Sequence, residues 1–209
     1  MKRRKFIQSG AIAFSSLLLA KYVNAGIFSD KKVVQPIGLQ LYTLGDLMIT
    51  DPKGTLKKLA AIGYKEVETA GSQKGNFYGF KPKELAAMIK DAGMNWRSAH
   101  VGGVPFNREQ VMKMAKTPED KARMEKMLER FKNMPQSLNL KDNHQELADA
   151  AAEGGISYLV CSSIPVSTLD EMKIAVDVFS KSGEACKKAG VEFAYHNHTS
   201  EFDVVEGHR

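Results

Sequence analysis

KKAGVEFAYHNHTSEF, residues 187–202, holds a complete helix-to-strand junction followed by a dense polar cluster. Two lysines and an alanine end a helical pattern, Gly190 supplies a left-handed cap, and a short buried strand begins at Val191 and runs through Tyr195. The same design recurs at AAIG-YKEVE (60–68), KDAG-MNWRSAH (90–100) and AEGG-ISYLV (152–160). Repeated strand–helix units with such short links imply parallel strands joined by right-handed crossovers. An open doubly wound sheet and a (β/α)8 barrel both fit that pattern. The first strand is followed by LYTLGDL (41–47), which has no GxGxxG, so a dinucleotide fold has little support. The barrel makes the sharper prediction.

Read in order, Pro36 opens a strand expected over 37–44, and Asp51-Pro52 starts a helix that stops at Gly63. A strand at 64–70, a helix at 81–93 and a strand at 94–101 follow. Residues 107–134 read as a charged helical excursion, restarted at Thr117-Pro118-Glu119. A helix from Asn143 or His144 to Gly155, a strand at 156–163 and a helix at 169–190 lead back to the quoted stretch.

A barrel gathers its active site at the C-terminal ends of its strands. Those ends read Tyr42, Glu68, His100, Ser162-Ser163 and His196/His198. Each also has a plain structural explanation: Tyr42 as a cap on the core, Glu68 as a solvated strand end, the histidines as an exposed loop. His100 is the strongest singly, because Gly102-Gly103 beside it let a ligand approach the backbone. Trp96 belongs to the core. Strand alternation puts His196 and His198 on one face if the strand continues that far, and Glu201 in the next loop folds back towards them. Imidazoles with a carboxylate are donors that zinc, manganese or cobalt accept.

The chain has 209 residues and a formal charge of +6. Lys2, Arg3, Arg4, Lys5 and Lys21 fall within the first 25 residues, which contain no Asp or Glu, so the rest is nearly neutral. A near-neutral domain offers nucleic acid no electrostatic attraction. MKRRKFIQSG followed by AIAFSSLLLA and Val23-Asn24-Ala25 reads as a signal segment, too short in its apolar run for a membrane span. Arg3-Arg4-Lys5-Phe6-Ile7 resembles the twin-arginine export motif. The expected organisation is an export signal at 1–25, a linker at 26–35 and one domain at 36–209, in the periplasm and delivered by export machinery. Cys161 and Cys186 are expected to remain unpaired, towards opposite ends of their unit.

From Ile37 to Gly207 the chain resembles the sugar phosphate isomerase/epimerase family, the xylose isomerase-like TIM barrels. GLQLYTL (38–44), DPKGTLKKLAAIGYKEVE (51–68), SAHVG (98–102), GEACKKAGVEFAYHNH (183–198) and HNHxxEF (196–202) carry the resemblance. It implies a divalent metal (Mn, Zn, Co or Mg) with His196, His198 and Glu201 as ligands, and a small sugar as substrate. It implies catalysis by His100 and Glu201, with Tyr42, Glu68, His198 and Ser162 binding the sugar. Proton transfer through an enediolate then isomerises or epimerises the carbohydrate. A lyase or hydrolase of 3-keto-glycosides and a non-catalytic sugar-binding barrel are the alternatives; an endonuclease fits neither the charge nor the export motif. A full barrel takes about 250 residues, so the barrel is expected to be truncated after about strand five, with open edges that favour homo-oligomers.

Overall fold

Each helix is set by the punctuation that the sequence supplies. Asp51 Oδ1 accepts from the Gly54 N–H at 2.9 Å, Pro52 fills the first turn, and Gly63 at φ 119° ends the helix. In a computed structural model that describes residues 35–207 apart from 114, 116, 131, 133, 134 and 136, the elements follow in regular alternation. They are β1 (Gly38–Gln40), α1 (Leu47–Thr50), α2 (Pro52–Ile62), β2 (Glu66–Thr69), α3 (Pro82–Asp91), β3 (Asn95–Gly102), α4 (Arg108–Lys113), α5 (Pro118–Arg130), α6 (Leu140–Glu153), β4 (Tyr158–Ser163), α7 (Leu169–Ala189) and β5 (Glu192–Tyr195). The expected export signal and the linker up to residue 34 lie outside the described residues.

The five strands are all parallel and lie side by side in sequence order, β1-β2-β3-β4-β5. A doubly wound sheet reverses its order at a switch point; this one does not. α2 packs on α3, α3 on α6 and α6 on α7, so the helices form one continuous layer. Under that layer Val67, Ala99, Leu159 and Cys161 are fully buried. Burying one such Leu or Val side chain stabilises the fold by about 1.5–3 kcal/mol. The opposite face carries Gln40, Glu68, Ser98, His100 and Ser162. This is the α/β wall of a TIM barrel, apolar towards its helices and polar within.

One irregularity sets the polar face. Val67 pairs with Trp96, but Glu68 pairs with Ser98, so Arg97 is an extra residue in β3. Bulges in parallel pairs are rare, and they re-aim side chains. Trp96 points into the helical side, where its indole N–H donates to Thr69 Oγ1 at 3.1 Å and its ring meets Phe77 edge-on at 5.5 Å. Because Arg97 is skipped, Ser98 and His100 face the other way, beside Glu68.

Several boundaries differ from the sequence reading. β1 stops at Gln40, because the Thr43 hydroxyl donates to the Gln40 carbonyl at 2.8 Å and Leu41–Leu44 close into a 3-10 turn. α6 starts earlier than expected, at Leu140, since Asn139 Oδ1 accepts from the Asp142 N–H at 3.1 Å and caps it. The excursion of α4 and α5 is tied back by Asn76, whose amide bonds both the N–H and the carbonyl of Leu138. Cys161 and Cys186 are buried free thiols. Burial pushes them up to about 12 and about 11 respectively.

Candidate active site

The polar groups at the strand ends fall into two arms. The first is built on strands. Gln40 is the register partner of Glu68, and Glu68 that of Ser98. The Gln40 amide nitrogen lies 2.7 Å from Glu68 Oε1 and 3.2 Å from His100 Nδ1. The Ser98 hydroxyl donates to the other oxygen, Glu68 Oε2. His100 Nε2 stands 3.2 Å from Glu68 Oε1, and the two side chains are only 9% and 25% exposed. Burial above all holds His100 below the ordinary histidine value; Glu68 opposes that shift, while His196 and His198 reinforce it. A neutral imidazole beside a carboxylate at pH 7 is suited to moving a proton.

The second arm sits at the end of β5 and in the loop beyond it. The strand stops at Tyr195, yet the His196 N–H still donates to the Cys161 carbonyl at 3.0 Å. The rings of His196 and His198 stack edge-on at 4.9 Å, and His196 meets His100 in the same way at 5.0 Å. The three imidazoles thus form one row joining the arms. Glu201 folds back under His198: its Oε2 accepts from the His198 N–H at 3.0 Å, and its Oε1 accepts from the Tyr195 hydroxyl. Burial, then the Glu201 carboxylate, raises Tyr195 above the usual phenol range, which keeps it a donor.

Glu68, His100, His196, His198 and Glu201 are therefore brought together. Tyr42 and Ser162 take other places. Tyr42 lies on the 3-10 turn past the end of β1 and is 60% exposed. Ser162 gives its hydroxyl proton to the Val101 carbonyl at 3.0 Å. Gly103 serves packing: a Cβ there would meet Ile164 Cβ at 2.8 Å and the Ser163 carbonyl at 2.9 Å. Sequence reasoning missed Gln40, Ser98 and Tyr195. Gln40 was hidden by the overlong first strand, although its place in GLQLYTL was open to reading. Two hollows of about 720 and 530 Å³ lie elsewhere, one against α6 and one past the ends of β3 and β4; neither is lined by His100 or Glu68.

His196, His198 and Glu201 have the donor chemistry of a divalent metal site, but their arrangement is not a chelate. Both Glu201 oxygens are engaged, and Oε1 is 3.9 Å from His198 Nδ1. Among the described residues no group of three His, Cys, Asp or Glu side chains stands at metal-ligand spacing.

The fold has counterparts among known structures. A crystal structure of a sugar phosphate isomerase/epimerase from Parabacteroides distasonis ATCC 8503 matches 87% of this chain with 28% identity and a TM-score of 0.59. A second one from the same organism matches 82% with 27% identity and a TM-score of 0.58. The structural neighbours are sugar phosphate isomerase/epimerase proteins. The fold is that of the xylose isomerase-like TIM barrels, and the chain spans 57% of the length of each of those two proteins. No protein-family model and no curated protein matches the sequence.

Proposed function

We propose that this chain carries the proton-transfer site of a sugar isomerase or epimerase acting through an enediolate. The observation that supports it is the pairing of His100 Nε2 with Glu68 Oε1 at 3.2 Å on the polar face, with His196 against His100. Glu68 takes the proton from the carbon beside a sugar carbonyl. The electron pair moves onto the carbonyl oxygen, where the neutral His100 ring donates a hydrogen bond. Delivery of a proton from solvent to the other face gives the epimer. Return of the proton from Glu68 to the neighbouring carbon, with the hydroxyl proton passing from one oxygen to the other through His100, gives the isomer. Glu201, held by Tyr195, is placed to orient hydroxyls of the bound sugar beside His198.

The test is carbon-bound deuterium uptake from D2O into free ketoses and 3-keto-glycosides, followed by NMR with the full chain. Exchange with formation of an epimer or isomer, lost in His100→Gln, is the expected result. Release of the aglycone from a 3-keto-glycoside moves the reading to a lyase or hydrolase, and no exchange on either class ends it. A divalent cation is proposed as a further partner, outside the proton transfer described. Equilibrium dialysis with Mn2+ or Zn2+ tests it, with uptake expected to fall in His196→Ala.

A further inference from the structure

We infer that Gln40 is a positioning residue that fixes which nitrogen of His100 carries the proton, leaving Nδ1 bare and Nε2–H turned to the site. The inference rests on the proton-transfer reading of the cluster for its meaning, though not for its test. Glu68 decides how the Gln40 amide is oriented. The amide atom 2.7 Å from Glu68 Oε1 has to be the nitrogen, because a carboxylate only accepts, and turning the amide over would press two acceptor oxygens together. That same nitrogen lies 3.2 Å from His100 Nδ1 and has a second hydrogen to give. A ring nitrogen that faces a donor presents its lone pair, so the proton of the neutral imidazole resides on Nε2.

The geometry holds the device in place. Gln40 and Glu68 are direct partners on adjacent strands, so neither depends on a loop. Ser98, itself buried, occupies the other Glu68 oxygen and keeps the carboxylate from swinging away from the amide. Protonating Nδ1 would set its N–H against the Gln40 N–H. The ring is thereby kept as a donor at Nε2, beside the carboxylate that receives the substrate proton. Gln40 meets the Glu68 carboxylate but touches no atom of the substrate in this scheme. It acts through His100 and Glu68.

Imidazole nitrogen NMR on the full chain labelled with 15N-histidine tests this directly at about pH 7.5, with the His100 signals identified by their loss in His100→Gln. The wild type should show an unprotonated Nδ1 and a protonated Nε2. Gln40→Leu, which removes both N–H groups, should let Nδ1 gain a proton and lower kcat about tenfold, with KM within about twofold. A protonated Nδ1 in the wild type overturns the assignment, and it does so even if the Leu variant fails to fold. An unchanged Nδ1 signal in folded Gln40→Leu overturns it as well. If the tautomer result holds while no sugar exchanges deuterium, the functional reading falls and the role of Gln40 in fixing the ring stands.

Discussion

The arm carried on β1–β3 and the arm carried past β5 hold similar chemistry in different ways. Glu68 and His100 sit on paired strands, with Gln40 and Ser98 as donors from the strands alongside. Glu201 lies in a loop, and its partners Tyr195 and the His198 N–H come from within six residues of it. His198 is 53% exposed, against 9% for His100. Long-range pairing fixes the first arm whether or not a ligand is bound, as a preorganised acid–base pair requires. Local bonding gives the second arm freedom to adjust around a sugar without disturbing the sheet. Under the proposed function, chemistry belongs to the first arm and fit to the second.

Breaking the strand arm should have the largest effect. His100→Gln is expected to lower kcat by about 100-fold or more while leaving the unfolding midpoint close to wild type. A loss confined to KM would move the chemistry to the loop arm. Next comes the brace between the ends of β3 and β4. Gly103→Ala forces a Cβ against Ile164 and Ser163, and urea unfolding should show a loss of about 1–3 kcal/mol. If stability holds but sugar binding fails, Gly103 serves the ligand after all. Tyr195→Phe, which removes one partner of Glu201, should change KM by about threefold to tenfold with kcat nearly kept. An equal fall in kcat would put Glu201 in the proton transfer.

The smallest effect concerns the core beneath both arms. Cys161 and Cys186 are neutral when folded and pushed up to about 12 and about 11. In the unfolded chain each thiol ionises near 9. The stability they contribute is therefore fully present below pH 9 and is lost as pH rises towards 11–12. Denaturation midpoints should fall over that range, less steeply in Cys161→Ala; a flat profile would mean that the thiols are not sealed. Alkylation of either thiol should wait on unfolding.

The fold was legible because its signal is local and repeated. Four helix–Gly–strand junctions announce parallel winding without any knowledge of long-range contacts. Glu68, His100 and the HNHxxE cluster were legible as polar residues at strand ends. Gln40 was not, because a Thr43 side chain ends β1 four residues early, and no pattern of hydrophobicity records that bond. The bulge escaped for a similar reason. Counting alternate residues places Trp96, Ser98 and His100 on one face, whereas the structure puts Trp96 on the side opposite the other two. Tyr195 looked like a core strand residue, and its ring does pack on Phe179 at 4.8 Å; only its hydroxyl reaches Glu201.

The extra residue at Arg97 amounts to a phase shift in an alternating code. Drawing it into the ladder, opposite Glu68, would restore strict alternation across β2 and β3 and turn Ser98 and His100 towards the helices, bringing Ala99 out in their place. A strand of the same length and composition, paired without the bulge, would thus present a blank wall where this one presents a histidine. At this position a one-residue change of register alters chemistry more than most substitutions do. Shifts of register in β3, rather than exchanges of side chain, are the changes by which a barrel of this kind could switch this arm off while keeping its core.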